Sequence, residues 1–228
     1  MNSIQKILFA SVLTVISVSQ MKGQGTLTFQ NLDFENGSFV AIPGDQYGSF
    51  QWTFAMPGWT GSVGTNQVDR LLHNNLFLSL AGIAIQGPDY PSANLYHAQN
   101  YLVLQAGLDP NNLQSSVGSA IAQTGTIPSG TQSIRLLSNN SFSLGFILLF
   151  GGNTIPLFNV GSSANGRPIW GGDVSSFAGQ TGELRFQGAG YLDYIQFSSQ
   201  TIPEPSMLGL FGLGALMFSH RMWRVAKS

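Results

Sequence analysis

Cysteine is absent from the 228 residues, which excludes a disulfide framework, a cysteine-ligated zinc and a thiol nucleophile. Charge is scarce: Asp, Glu, Lys and Arg make up 8% of the chain, against about 25% in an average soluble domain. The few charges are unevenly placed. Lys6 and Lys22 lie near the start and Arg221, Arg224 and Lys227 near the end, so the body keeps only Arg70, Arg135, Arg167 and Arg185, with no lysine. All ten acids fall between Asp33 and Glu204, which leaves the body acidic. With a net charge of -1 and no basic patch, the chain lacks the electrostatic footprint of a nucleic-acid binder. Histidine is also sparse. His73, His97 and His220 show neither His-x-x-x-His nor His-Glu-x-x-His spacing, so a zinc hydrolase has no ligands. No serine sits in a Gly-x-Ser-x-Gly elbow, and Gly161-Ser162-Ser163-Ala164-Asn165-Gly166 reads as a flexible loop.

What the sequence does hold is two apolar ends. Lys6 precedes an unbroken apolar or small-residue run from Ile7 to Val18, too short for the ~20 residues a spanning helix needs and lacking a polar face. Ser17-Val18-Ser19 puts small residues where a signal peptidase reads, with a second such site at Gly23-Gln24-Gly25. Residues 1–25 therefore read as a signal peptide. The other end runs Ile202-Pro203-Glu204-Pro205-Ser206, then an apolar stretch from Met207 to Phe218, then Arg221, Trp223, Arg224 and Lys227. Two prolines keep the motif out of any helix. The apolar stretch suits a bilayer, and the basic residues form a stop on its cytoplasmic side.

The order Pro203-Glu204-Pro205, apolar stretch, Arg221/Arg224/Lys227 resembles the PEP-CTERM sorting signal of Gram-negative bacteria. The resemblance covers residues 201–228. It implies export, recognition by an exosortase-type membrane protease, a membrane intermediate held by a C-terminal hydrophobic helix, and delivery to the cell surface or beyond.

Residues 26–200 read as all-β, a jelly-roll-type sandwich. Thr26 to Leu32 alternates polar and apolar and predicts a strand; Asn36-Gly37 predicts a turn. Phe77 to Gln86, Tyr101 to Leu104, Leu184 to Gln187 and Tyr191 to Phe197 predict further strands. Ser143 to Phe150 and Thr154 to Val160, flanking Gly151-Gly152-Asn153, predict a hairpin. One helical turn is expected near Asp173–Ala178.

Asn31-Leu32-Asp33-Phe34-Glu35-Asn36-Gly37, the stretch from Asp173 to Phe186 and the closing Tyr191–Phe197 resemble the edges of galactose-binding-like sandwiches of secreted bacterial proteins. Sandwiches of this kind often hold a structural Ca²⁺ on acid and carbonyl oxygens, which points to Asp33, Glu35 and Asp193 as candidate ligands. Asp33 and Glu35, two apart, are expected to share a strand face. Aromatic side chains that could stack on sugar rings are Trp59, in the turn Pro57-Gly58-Trp59-Thr60, together with Trp170 and Tyr96.

Three functions fit these residues. The first is a non-enzymatic exported protein that binds or organises envelope or matrix polysaccharide. The second is a secreted polysaccharide hydrolase using two of the body's carboxylates. The third is a structural matrix component with no ligand. The missing catalytic motifs favour a non-enzyme.

Overall fold

The structure, a computed structural model, describes residues 27–90, 97–138 and 145–202. The helices expected within the signal peptide and within residues 203–228 lie outside the described residues. Among the described residues no helix is long and apolar enough to cross a membrane.

The strands, in chain order, begin with β1 (Phe50–Gln51), which leads into a single helical turn, α1 (Trp52–Ala55). They continue with β2 (Thr60–Val63), β3 (Asn66–Val68), β4 (Arg70–His73), β5 (Gly82–Gln86) and β6 (Tyr101–Gln105). Next come β7 (Gly107–Leu108), β8 (Ser116–Val117), β9 (Ser119–Thr126) and β10 (Ser133–Leu137). The set ends with β11 (Phe146–Phe150), β12 (Asn153–Ile155), β13 (Phe158–Ser162), β14 (Pro168–Asp173), β15 (Thr181–Gly188) and β16 (Gly190–Ser198).

Two large sheets result, an eight-stranded one in the order β1-β4-β5-β6-β16-β10-β14-β13 and a six-stranded one in the order β12-β11-β15-β9-β2-β3. Every neighbouring pair in them is antiparallel except β4–β5. The sheets face each other, as expected of an all-β sandwich. Period-two alternation sends Ile83, Ile85, Leu102, Leu104, Ile134 and Leu136 inward from the larger sheet. Ile121, Phe146, Leu148, Phe150, Leu184 and Phe186 meet them from the smaller one. Each such side chain contributes about 1.5–3 kcal/mol on burial.

The larger sheet carries a second apolar cluster on its outer face: Leu72, Ala84, Tyr101, Val103 and Leu137, with Ile169, Tyr191 and Tyr194 packed against them. Strands of this sheet are therefore apolar on both faces, as in the fully buried β5.

Local turn chemistry behaves as the sequence predicts at Gly151-Gly152. Both residues have positive φ (55° and 80°), and they join β11 to β12 with Phe150 opposite Asn153. The expected helical turn is a 3-10 turn at Ser175–Phe177.

Three expected strands differ. The one expected over Thr154 to Val160 breaks at Pro156 into β12 and β13, which lie in different sheets, so only β12 completes the hairpin with β11. Thr26 to Leu32 forms no strand in its described part. The Gln123 side chain takes the place of a neighbouring ladder, accepting the Gln30 N–H and donating to the Gln30 carbonyl. The strand expected over Phe77 to Gln86 is confined to Gly82–Gln86, because Ser79 has a φ of 61° and Leu78 points into solvent. Phe77 instead lies over Gly82, where a Cβ would come within 2.1 Å of its ring.

Candidate functional site

The site grows from an irregularity in the pairing of β10 with β16. Arg135 faces Gln196 and Leu137 faces Asp193, so Leu136 alone spans the two β16 residues Tyr194 and Ile195. This bulge puts Tyr194 in the left-handed region, with φ 50°. Such a conformation costs a bulky side chain roughly 1–3 kcal/mol and persists only where the surroundings enforce it.

The enforcing group is next door. Asp193 is fully buried. Its Oδ1 accepts the Tyr194 N–H at 2.6 Å, and its Oδ2 accepts the His97 N–H at 2.8 Å. The rings of His97 and Tyr194 then stack, centroids 3.8 Å apart and 20° from parallel. Burial pushes the Asp193 carboxyl up to about 8, against the pull of those two N–H groups and with a further push from Glu35 and Asp33.

Glu35 fastens the same segment from its other side. Its Oε1 accepts the N–H groups of Gln99 (2.8 Å) and Asn100 (2.7 Å), and its Oε2 accepts Asn100 Nδ2 at 2.9 Å. Two acids remote in sequence thus hold residues 97–100 by their amides.

Beside the stacked pair lies a cavity of about 290 Å³, near the lower end of the roughly 300–1,000 Å³ typical of ligand pockets. Tyr194, Arg135 and Gln196 line it from the sheet, His97 from the segment before β6, and Ser163 and Asn165 from the β13–β14 connection. That connection is a shaped turn: the Ser163 N–H donates to the Arg167 carbonyl (2.8 Å), and Ser163 Oγ accepts the Arg167 N–H (3.1 Å). Arg135 Nε and His97 Nδ1 are buried without a hydrogen-bond partner. Among the described residues no carboxylate lines the cavity.

A second hollow, of about 620 Å³, lies beside Gln51, Trp52, Gln67, Asp69 and Arg70. Its cation is already engaged, since Arg70 sits 3.0 Å from Asp45 and 3.1 Å from Asp69.

The residues singled out from sequence fall differently. Trp59 and Trp170 are 3% and 5% exposed and belong to the inter-sheet core, so neither offers a face to a sugar. Trp59 is buried although it follows a turn, because its Nε1 donates to the Asn31 carbonyl at 3.0 Å, which satisfies the indole. Trp52 does likewise, donating to the Trp59 carbonyl at 2.7 Å. Tyr96 lies outside the described residues.

Asp33 and Glu35 do not share a strand face. Phe34 between them has φ 59° and turns the chain, and the Glu35 N–H reaches Asp33 Oδ1 at 3.4 Å. Asp33, Glu35 and Asp193 are near enough to interact, yet the oxygens of Glu35 and Asp193 face N–H donors. Among the described residues no three His, Asp or Glu side chains gather as a metal site. His97, Arg135, Ser163 and Asn165 carry no signal of a site in the sequence; the β10–β16 pairing, the Asp193 bond to His97 and the Ser163–Arg167 turn assemble them.

The described body ends at Ile202, where Pro203, Glu204 and Pro205 begin. Residues 201–227 match the PEP-CTERM protein-sorting motif. The PEP-CTERM match includes Arg221, Arg224 and Lys227, all of them outside the described residues, and it indicates an exported protein handled by exosortase and trafficked to the cell envelope. No curated protein and no solved structure matches the chain.

Proposed function

We propose that the protein is an exported envelope protein whose sandwich binds polysaccharide, without catalysis, in the cavity beside His97 and Tyr194. The observation that carries this reading is the cavity itself. A stacked aromatic pair lies among amide, hydroxyl and guanidinium donors, the combination that suits the apolar faces and hydroxyl edges of a sugar. Among the described residues no carboxylate lines the cavity, which supports binding over glycoside hydrolysis, a reaction that needs two. The jelly-roll, galactose-binding-like kinship of the body draws support from its strand path. The chain steps from the six-stranded sheet to the eight-stranded one at β3–β4, β9–β10, β12–β13 and β15–β16. Signal peptidase and exosortase would process the two ends, with the C-terminal segment holding a membrane intermediate.

The test is retention of the full-length protein on a panel of immobilised bacterial polysaccharides. Wild type and Trp59→Phe should be retained alike, and Tyr194→Ala should lose at least tenfold in affinity. Equal retention of Tyr194→Ala, or no retention of wild type by any polysaccharide, would remove the reading.

A further inference from the structure

Resting on the saccharide reading of this cavity, we infer that its ligand is an acidic sugar, a uronate whose carboxylate pairs with the guanidinium of Arg135. Arg135 sits at the middle of β10 with Gln196 opposite on β16 and Gly171 opposite on β14. One flank is thus an amide, and on the other the Ile202 and Val160 side chains pack over Gly171, so the open side of Arg135 is the cavity that it lines with Ser163, Asn165 and Gln196.

The cation is uncompensated. Arg70 has Asp45 and Asp69, and Arg185 has Glu183 at 3.7 Å, but among the described residues no acid forms an ion pair with Arg135. Its Nε is cut off from solvent and bonded to nothing. Asp193, the nearest acid along the facing strand, has both oxygens on backbone N–H groups, and burial keeps it largely protonated at neutral pH. A buried guanidinium Nε–H without an acceptor is costly, and a planar carboxylate is the group whose geometry answers the fork of donors. In a body this acidic and this poor in cations, such a site selects one carboxylate against general repulsion. The His97–Tyr194 pair and the Asn165 amide remain for the sugar ring and its hydroxyls.

The experiment is calorimetric titration of the full-length protein with oligogalacturonate, oligoguluronate and oligoglucuronate, each as the free acid and as the methyl ester. At least one acid form should bind tenfold or more tighter than its ester. That preference should shrink at high salt and vanish in Arg135→Gln. The acid–ester comparison on wild type needs no variant, so a poorly folding Arg135→Gln does not blunt it. If acid and ester bind equally, and Tyr194→Ala weakens both, the acidic-sugar inference fails while saccharide binding stands. If no saccharide binds, charged or esterified, both fail.

Discussion

Asp193 holds the backbone of His97, its Oδ2 accepting the His97 N–H at 2.8 Å across 96 residues of sequence. The carboxyl titrates near 8 in the fold because it is buried. In the unfolded chain it titrates in the ordinary range, roughly pH 4. Between those values the folded state keeps a proton that the unfolded state has released, so stability falls as pH rises. The contribution is fully present below about pH 4 and is lost on passing through 8. The melting temperature of wild type should therefore decline between these limits relative to Asp193→Asn. Parallel curves for the two proteins would refute this account.

Glu35→Gln presents an N–H₂ where an acceptor is needed, setting two donors against each other at Asn100 Nδ2. A loss of about 1–3 kcal/mol is expected. Hydrogen exchange should quicken first at the Gln99 and Asn100 amides. Exchange unchanged at those two amides would show that Glu35 does not hold the segment.

Gly61→Ala tests the tightness of the core. A Cβ there would lie 2.4 Å from the Trp52 ring, and that indole cannot retreat without giving up its bond to the Trp59 carbonyl. Overpacking of this kind costs about 1–3 kcal/mol, readable by chemical denaturation. A variant as stable as wild type would mean that the Trp52 pocket yields.

Gln123→Ala removes both side-chain bonds to Gln30. Residues 27–32 should exchange their amide hydrogens faster while the β9–β15 ladder stays protected. Global unfolding in place of this local loosening would contradict the assignment.

Replacing Pro203, Glu204 and Pro205 with alanine should leave an unprocessed, membrane-held precursor. Cell fractionation and the mass of the surface-located protein report the outcome. Unaltered processing would show that the matched motif does not sort this protein.

Local signals in the sequence were the readable ones. The apolar run at Tyr101–Leu104 and the Gly151-Gly152 turn are governed by near neighbours, and both form as predicted. Strand β9 escapes notice because Ser119–Thr126 is built of small and polar residues, although it lies between β2 and β15. The aromatic candidates mislead for a related reason. A tryptophan suits a sugar face or a core equally well, and only the acceptor found by Trp59 Nε1 decides between them. The cavity could not be foreseen at all, since Arg135 and Tyr194 meet through a bulge in a pairing of distant strands.

The place of β16 inside the larger sheet, between β6 and β10, bears on how the protein matures. Its two flanking strands have no shared neighbour without Gly190–Ser198, the last strand of the described residues. The eight-stranded sheet is therefore closed from the rear of the chain, next to the segment that the PEP-CTERM match covers.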